Sequence, residues 1–206
     1  MAKAVLDPVL EFDWLDHWRR LVVGSRGASP PEEDPWRDRA QEYQAARGLD
    51  WEPLLEVMGP WLDSRKTAID VGAGTGRHSV PLAKRLDWVT AVEPSESMRS
   101  LIPALDNLTV VASIWEDAEV APADLVVCSH VLYGVAEPVP FIEKMESCAG
   151  ERVFVFMRDG PGTHEGGVRR LRLQDLYNLL RQMGVSPDMT VAGDSGAAHW
   201  RPRPGI

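Results

Sequence analysis

The sequence predicts an α/β protein with a doubly wound, mostly parallel sheet and a helical extension at its N-terminus. From Thr67 onward, short apolar runs alternate with segments of helical periodicity, the order that crossover helices between parallel strands produce. The runs are apolar without interruption, which is typical of strands covered on both faces. Before Thr67 the apolar residues recur only at helical spacing, so we expect helices there and no strand.

Three helices are predicted in the extension. The first carries apolar residues at helical spacing, namely Leu10, Trp14, Trp18, Leu21 and Val22. Residues 24–35, rich in Gly, Ser and Pro, end it. The second carries Trp36, Ala40 and Tyr43, and the third carries Trp51, Leu54, Leu55 and Met58. We expect residues 1–64 to form a helical cap and residues 65–206 the α/β domain, packed as one structural unit. The tryptophans of the cap either line a pocket or anchor its core.

The domain begins with the strand TAIDV, and further strands are predicted at WVTAV, LTVV, DLVVC and RVFVF, with weaker candidates at MTVAG and AHWRP. Between them, helical periodicity covers residues 77–86, 95–104, 139–149 and 168–183. After the last strand, Pro202 and Pro204 cannot donate ladder hydrogen bonds, so we expect the chain to fray there.

Composition restricts the classes of protein that fit. The chain has 206 residues and a net charge of -9, so its field repels polyanions and argues against nucleic acid as a partner. A short basic cluster, Arg169, Arg170 and Arg172, is interpreted as a solvated helix face. No apolar run is long enough to span a membrane, and acids stand where a signal peptide would be apolar, so we expect a cytoplasmic location. The cysteines and histidines lack the spacing of a metal site.

The most informative segment is AIDVGAGTGRHS, in which Gly72, Gly74 and Gly76 follow the first strand. Glycines there let the backbone turn tightly and bring its N–H groups close to a ligand. Asp70 precedes them, and Glu93 closes the second strand about 20 residues further on, where an acid can accept hydrogen bonds from both hydroxyls of a ribose. The segment therefore predicts a site for a nucleoside-containing ligand.

The alternating glycines and the acid before them resemble the first motif of the class I S-adenosylmethionine (SAM) dependent methyltransferases. The resemblance runs from about Ala68 to Phe156 and implies a Rossmann-like domain with SAM as cofactor and S-adenosylhomocysteine (SAH) as product. The ammonium group of SAM suits an acid such as Asp70, whereas a dinucleotide site would have Gly-x-Gly-x-x-Gly. A nicotinamide-dependent oxidoreductase is therefore disfavoured.

The resemblance also assigns cofactor-binding residues beyond the glycine turn. It places the ribose at Glu93 with Pro94 beside it, the adenine against Met98, and the exit of the fourth strand, Ser129, beside the cofactor. Many members of that family have an acid after the third strand that binds the adenine amino group, but this sequence has Ser113 there. The next acids are Glu116 and Asp117, and either of them could supply this hydrogen bond. Trp115 either stacks on the adenine or anchors the loop against the sheet, and Tyr43 either closes over the cofactor or is a buried core residue.

A methyl sulfonium is already activated, so alignment can supply on the order of 7 to 11 kcal/mol and no dedicated base is mandatory. The catalytic candidates are His130, at the exit of the fourth strand, and His164, in a Gly-rich loop after the fifth. The Asn-Pro-Pro-aromatic signature of nucleobase-amino methyltransferases is missing after the fourth strand. We therefore expect a small-molecule methyl acceptor. The alternatives are an RNA or protein methyltransferase and a non-catalytic SAM- or nucleoside-binding module; a monomer and a dimer remain equally open.

Overall fold

The computed structural model describes residues 12–26, 34–47, 56–159, 169–192 and 195–206. Seven strands form one sheet within these ranges, in the order β3-β2-β1-β4-β5-β7-β6. The strands are β1 (Thr67–Val71), β2 (Trp88–Val92), β3 (Leu108–Val111), β4 (Ala123–Ser129), β5 (Ala149–Arg158), β6 (Asp188–Ala192) and β7 (Ser195–Trp200). The first five are parallel, and β7 pairs antiparallel with β5 and β6. The predicted Rossmann-like, doubly wound class is confirmed.

Three of the four domain helices are shorter than the periodicity predicts, whereas α5 has the predicted length. The domain helices are α3 (Ser79–Ala83), α4 (Glu96–Arg99), α5 (Pro138–Cys148) and α6 (Leu173–Gln182), after the N-terminal α1 (Trp14–Arg26) and α2 (Ala40–Arg47). The helix predicted to reach residue 104 ends early because Pro103 disfavours helical geometry at the residue before it. The last helix begins at Leu173, where the Asp175 carboxylate accepts the backbone N–H of Arg172 at 2.9 Å.

The described parts of the extension pack on the domain. Trp18 is fully buried, and its indole Nε1 donates to the carbonyl of Val135 at 2.8 Å. This tryptophan is therefore a core anchor that fixes α1 to the domain. Of the predicted third helix, residues 56–58 are helical and continue into a 3-10 turn at Gly59–Trp61. Leu10, Trp51, Leu54 and Leu55 lie outside the described residues.

The core occupies both faces of the sheet, because neighbouring residues of a strand point to opposite sides. In β1, Ile69 and Val71 pack with the cluster beneath α1 and α5, while Ala68 packs with Leu82 and Leu86 on the other face. Continuous apolar strands are what this double covering requires. Within the described residues, no helix is long and apolar enough to cross a bilayer.

The C-terminal segment departs from its prediction. No strand continues beyond Trp200, but Arg203 forms an ion pair of 2.6 Å with the buried carboxylate of Glu146. Its Nη1 also donates to the carbonyl of Met183 at 2.7 Å. The expectation of fraying does not hold as far as Arg203, where a tertiary ion pair takes the place of the missing ladder hydrogen bonds.

Candidate functional site

The site lies where the strand order reverses, between β1 and β4, with β2 and β3 on one side and β5 on the other. Open α/β sheets bind ligands at such a switch point, outside the carboxyl ends of the strands. Val71 pairs with Cys128, so Gly72 and Ser129 follow side by side on adjacent strands. The fold therefore brings the predicted glycine turn and the predicted exit of the fourth strand together.

The glycine turn needs glycine for two different reasons. Gly72 has φ +69°, and a Cβ there would meet Cγ2 of Val131 at 2.3 Å. Gly74 has φ +58°, but a Cβ there would meet nothing within 4 Å. Gly72 is thus required by the packing of the protein, whereas the empty space beside Gly74 is open to a ligand.

Glu93 is fixed beside this turn by main-chain donors. Its Oε2 accepts the N–H of Gly74 at 2.8 Å, and its Oε1 accepts the N–H of Ser95 at 2.9 Å. Burial raises the pKa of the carboxyl, and these two hydrogen bonds oppose that rise. Each oxygen retains a lone pair, so the carboxylate can accept two further hydrogen bonds.

Three buried oxygens around the turn have no hydrogen-bond partner within the described ranges. They are Oδ1 of Asp70, Oγ1 of Thr75 and Oγ of Ser129. The other oxygen of Asp70 accepts the hydroxyl of Ser79 at 2.6 Å, and burial raises the pKa of Asp70 to about 6. Unsatisfied buried polar atoms are costly, so their concentration at one sheet edge indicates a site that a polar ligand completes.

Asp34 is a residue of this region that sequence reasoning missed. Its Oδ2 accepts the hydroxyls of Ser95 and Ser97 at 3.0 and 2.9 Å, and its Oδ1 accepts the N–H of Trp36 at 3.0 Å. Trp36 in turn contacts Tyr43, with ring centroids 5.2 Å apart. The segment carrying the predicted Tyr43 is therefore tied to the end of β2, next to Glu93. The available sequence signal was an aspartate two residues before the tryptophan of the predicted second helix. The serines that this aspartate binds are 61 and 63 residues away, so the sequence did not reveal the contact.

The residues predicted to lie near the adenine differ in their exposure to solvent. Met98 is buried and Pro94 is exposed. Trp115 is 3% exposed, and its Nε1 donates to the carbonyl of Phe141 at 3.2 Å. This placement favours the loop-anchor interpretation of Trp115 over stacking on the adenine. Glu116 is exposed in the same loop.

Two further side chains of that loop region were not predicted. Ile114 directly follows Ser113 and is 47% exposed at the carboxyl end of β3. Lys144, on α5, donates from Nζ to the carbonyls of Trp115, Glu116 and Ala118 at 2.7, 3.0 and 2.7 Å. The lysine therefore fixes the course of the loop, a role that only the tertiary structure makes visible.

His130 leaves β4 in an unusual conformation. Its φ of +59° is the only positive value at a non-glycine among the described residues, and such strain is often found at functional sites. Its N–H donates to the carbonyl of Phe156 at 2.9 Å, and Nδ1 lies 3.0 Å from the hydroxyl of Tyr133. His164, the other catalytic candidate, lies outside the described residues.

Comparisons with known proteins agree with this geometry. The family model of the methyltransferase domain matches residues 40–184. Among solved structures, a DhpI–SAH complex is 20% identical, with a TM-score of 0.61, covering 97% of this chain and 100% of that one. A SAM-dependent methyltransferase from Aquifex aeolicus is 17% identical, with a TM-score of 0.62, covering 93% and 100%. Magnesium protoporphyrin IX methyltransferase from Synechocystis PCC 6803 is 20% identical, with a TM-score of 0.55, covering 90% and 93%. No curated protein sequence matches the chain. At these identities the structural matches establish the fold.

Proposed function

The chain belongs to the methyltransferase-domain family, and from this premise we propose that it is a SAM-dependent enzyme that methylates a small molecule. The observation that carries the proposal is the set of buried, unpartnered oxygens beside a glycine turn that leaves open space at Gly74. Similar structures were solved with SAH or SAM bound, which supports SAM as the cofactor of this chain too.

The residues present fit this cofactor. The two free lone pairs of the Glu93 carboxylate suit the two hydroxyls of a ribose. Asp70 is fully buried and its Oδ1 has no partner within the described ranges, so its charge would attract the ammonium group of SAM. Next to Glu93, Met98 and the exposed Ile114 supply apolar surface for the adenine, and Tyr43 closes the site from the cap. In this proposal, residues 1–64 form a cap on the domain of residues 65–206, and the two parts act as one structural unit.

Methyl transfer from SAM requires mainly that the protein align the two reactants. SAM supplies an activated methyl group, and the protein must hold an acceptor atom in line with the sulfur–methyl bond and exclude water. Ser129 and His130 stand at the carboxyl end of β4, on the side of the turn away from β2, and thus next to the acceptor. A small molecule fits better than RNA because the protein carries a net charge of -9.

Thermal unfolding with SAM, SAH and NAD tests the cofactor assignment. At about 100 times the dissociation constant a specific ligand stabilises the fold by about 2.7 kcal/mol, which raises the midpoint by about 5 to 10 °C for a chain of this size. We expect SAM and SAH to raise it and NAD to leave it unchanged. A rise with NAD alone would refute the proposal.

Calorimetric titration of Glu93→Ala tests the ribose contact separately. Loss of a hydrogen bond to a charged group should weaken SAM binding by about 1.5 to 3 kcal/mol. The matched control is Glu96→Ala, because Glu96 is exposed at the start of α4, three residues away. Equal SAM affinity of the two variants would contradict the assignment of Glu93.

A further inference from the structure

Asp34 joins the cap to the domain at the edge of the proposed cofactor position. It begins the described residues 34–47, here called the cap segment, and its Oδ1 accepts the N–H of Trp36 in that segment at 3.0 Å. Its Oδ2 accepts the hydroxyls of Ser95 and Ser97 at 3.0 and 2.9 Å, and the N–H of Ser97 at 3.4 Å. One carboxylate therefore binds the cap segment with one oxygen and the turn after β2 with the other.

Ser95 connects this contact to the residues predicted to bind the nucleoside. Its N–H donates to Oε1 of Glu93 at 2.9 Å, and its Oγ accepts the N–H of Met98 at 3.1 Å. Since a carboxylate has no proton to donate, the single hydroxyl proton of Ser95 is given to Asp34. Both donors of this buried serine are thus used, one on each carboxylate. The orientation of Ser95 therefore links the cap segment to the proposed ribose and adenine contacts.

Within the cap segment, the contacts of Asp34 bear on the position of α2. Trp36, whose N–H binds Asp34, contacts the ring of Tyr43 edge to face, with centroids 5.2 Å apart. Gln44, the next residue of α2, donates from Nε2 to the carbonyl of Leu101 at 3.4 Å. This contact is at the long end for a hydrogen bond, so Asp34 is the firmer of these two attachments of the cap segment to the domain.

We propose that Asp34 is a positioning residue of the cofactor site. Through Ser95 it orients the carboxylate of Glu93 toward the ribose. Through Trp36 it holds Tyr43 on the cofactor side of the cap, so that docking of the cap segment and binding of the cofactor stabilise each other. This inference rests on the proposed methyltransferase function and adds a residue that sets the cofactor affinity without contacting the cofactor.

The coupling has a physical reason at Glu93. Its carboxylate accepts the N–H groups of Gly74 and Ser95, and with both donors in place its remaining lone pairs have fixed directions. A ribose then binds a carboxylate that is already ordered, which favours affinity. Because linkage is reciprocal, the factor that docking of the cap segment adds to the cofactor affinity is the factor that the cofactor adds to this docking. The two effects can be measured separately.

Calorimetric titration with SAH measures the contribution of Asp34. Asp34→Ala removes the acceptor of both serine hydroxyls, so we expect it to weaken SAH binding by about tenfold or more, as hydrogen bonds to a charged group imply. Asp38→Ala is the matched control, because Asp38 is exposed in the same segment, and it should bind SAH within about twofold of the wild type. A wild type that does not bind SAH would refute the proposed function as well. A wild type and an Asp34→Ala variant that bind SAH equally would overturn only this inference.

A pair of nucleosides separates the positioning of Glu93 from a general loosening of the site. Adenosine has both ribose hydroxyls, whereas 2′,3′-dideoxyadenosine lacks both and cannot donate to Glu93. The wild type should prefer adenosine, and Asp34→Ala should reduce this preference by about threefold or more. A preference that is the same in both proteins would show that Asp34 does not act on Glu93.

A double-mutant cycle tests the route through Ser95. Ser95→Ala lacks the hydroxyl that binds Asp34, so adding Asp34→Ala to it should reduce the preference for adenosine by less than the same change does in the wild type. Effects of the two substitutions that are fully additive would overturn this route.

Hydrogen exchange measures the docking of the cap segment. In the wild type, saturating SAH should slow the exchange of the backbone amides of residues 34–47, and Asp34→Ala should lose most of this protection. The amides of the glycine turn, residues 72–76, are the internal control, because SAH should protect them in both proteins. Equal protection of residues 34–47 in the two proteins would show that cofactor binding and docking of the cap segment are not coupled through Asp34.

Discussion

At the carboxyl end of β1, burial raises the pKa of the Asp70 carboxyl from 3.8 to about 6, so the proposed role of Asp70 predicts a cofactor affinity that depends on pH. Below pH 6 the carboxyl is mostly protonated and no longer attracts an ammonium group. We therefore expect SAM binding to weaken as the pH falls from 7.5 to 5, by at most about tenfold per pH unit below the pKa. Calorimetric titration across this range measures the effect.

The effect of the Asp70 pKa on the stability of the unliganded fold has the opposite dependence on pH. A carboxyl whose pKa is raised in the folded state stabilises the fold when protonated, so this contribution is present below about pH 4 and is lost as the pH rises through 6. Asp70→Asn is the control for both effects, since it removes the titrating group with little change of shape. A SAM affinity that depends on pH to the same degree in Asp70→Asn would assign the dependence to another group.

The glycine turn offers a matched pair of substitutions. Both Gly72→Ala and Gly74→Ala place a side chain at positive φ, which costs roughly 1 to 2 kcal/mol. Gly72→Ala adds a clash with Val131 at 2.3 Å, so we expect it to lower the free energy of unfolding clearly more than Gly74→Ala does. Gly74→Ala should instead reduce SAM binding, since its methyl group enters the open space. Equal loss of stability in denaturant unfolding, with unchanged SAM affinity in Gly74→Ala, would contradict this division.

Among the elements, the loop after β3 receives three hydrogen bonds from a single lysine of α5. Lys144→Met would leave the carbonyls of Trp115, Glu116 and Ala118 without their shared donor, at a cost of about 1 to 3 kcal/mol of stability. Because this loop borders the proposed adenine position, the SAM affinity should also fall. Lys84→Met, at an exposed helix end, should stay within about 0.5 kcal/mol of the wild type. Denaturant unfolding and calorimetry of both variants provide the comparison.

The elements also show which parts of the fold the sequence could predict. Strands TAIDV, WVTAV and LTVV were predicted with the observed bounds, because continuous apolar runs between turn residues are a local signal. Three of the four domain helices were predicted too long, because periodicity continues past the point where a residue such as Pro103 stops a helix, whereas the helix at Pro138–Cys148 was predicted within one residue. The glycine turn and Glu93 were predicted from their spacing, and the structure brings them within hydrogen-bond distance of each other. The contacts of Asp34, Tyr133 and Lys144 were not, since each joins segments that are remote in sequence or depends on exact backbone position.

In the whole molecule, charge is arranged by region. Two acids lie at the proposed cofactor position, with Asp70 and Glu93 buried at the ends of β1 and β2, whereas the exposed Arg158 ends β5. A cationic cofactor would meet a potential of the opposite sign at these two acids. The net charge of the chain could not reveal this division, because it sums both regions.

An ion pair at the end of the sheet opposite the proposed site holds the C-terminal segment on the domain. Glu146 is 2% exposed, and it accepts from Nε1 of Trp200 at 3.0 Å and from Nη2 of Arg203 at 2.6 Å. Arg203→Met would leave the carboxylate buried without its cation, so we expect a loss of about 3 to 5 kcal/mol and a lower unfolding midpoint by about 6 to 20 °C.

The double variant Glu146→Gln with Arg203→Met separates the charge from the packing. An amide oxygen can still accept from Trp200 and carries no charge, so the double variant should be more stable than Arg203→Met alone. Arg201→Met is the control, because Arg201 is exposed two residues earlier and should change stability by no more than about 0.5 kcal/mol. If Arg203→Met unfolded at the same temperature as Arg201→Met, the C-terminal segment would not be held by this ion pair, and the fraying expected from its two prolines would be correct after all.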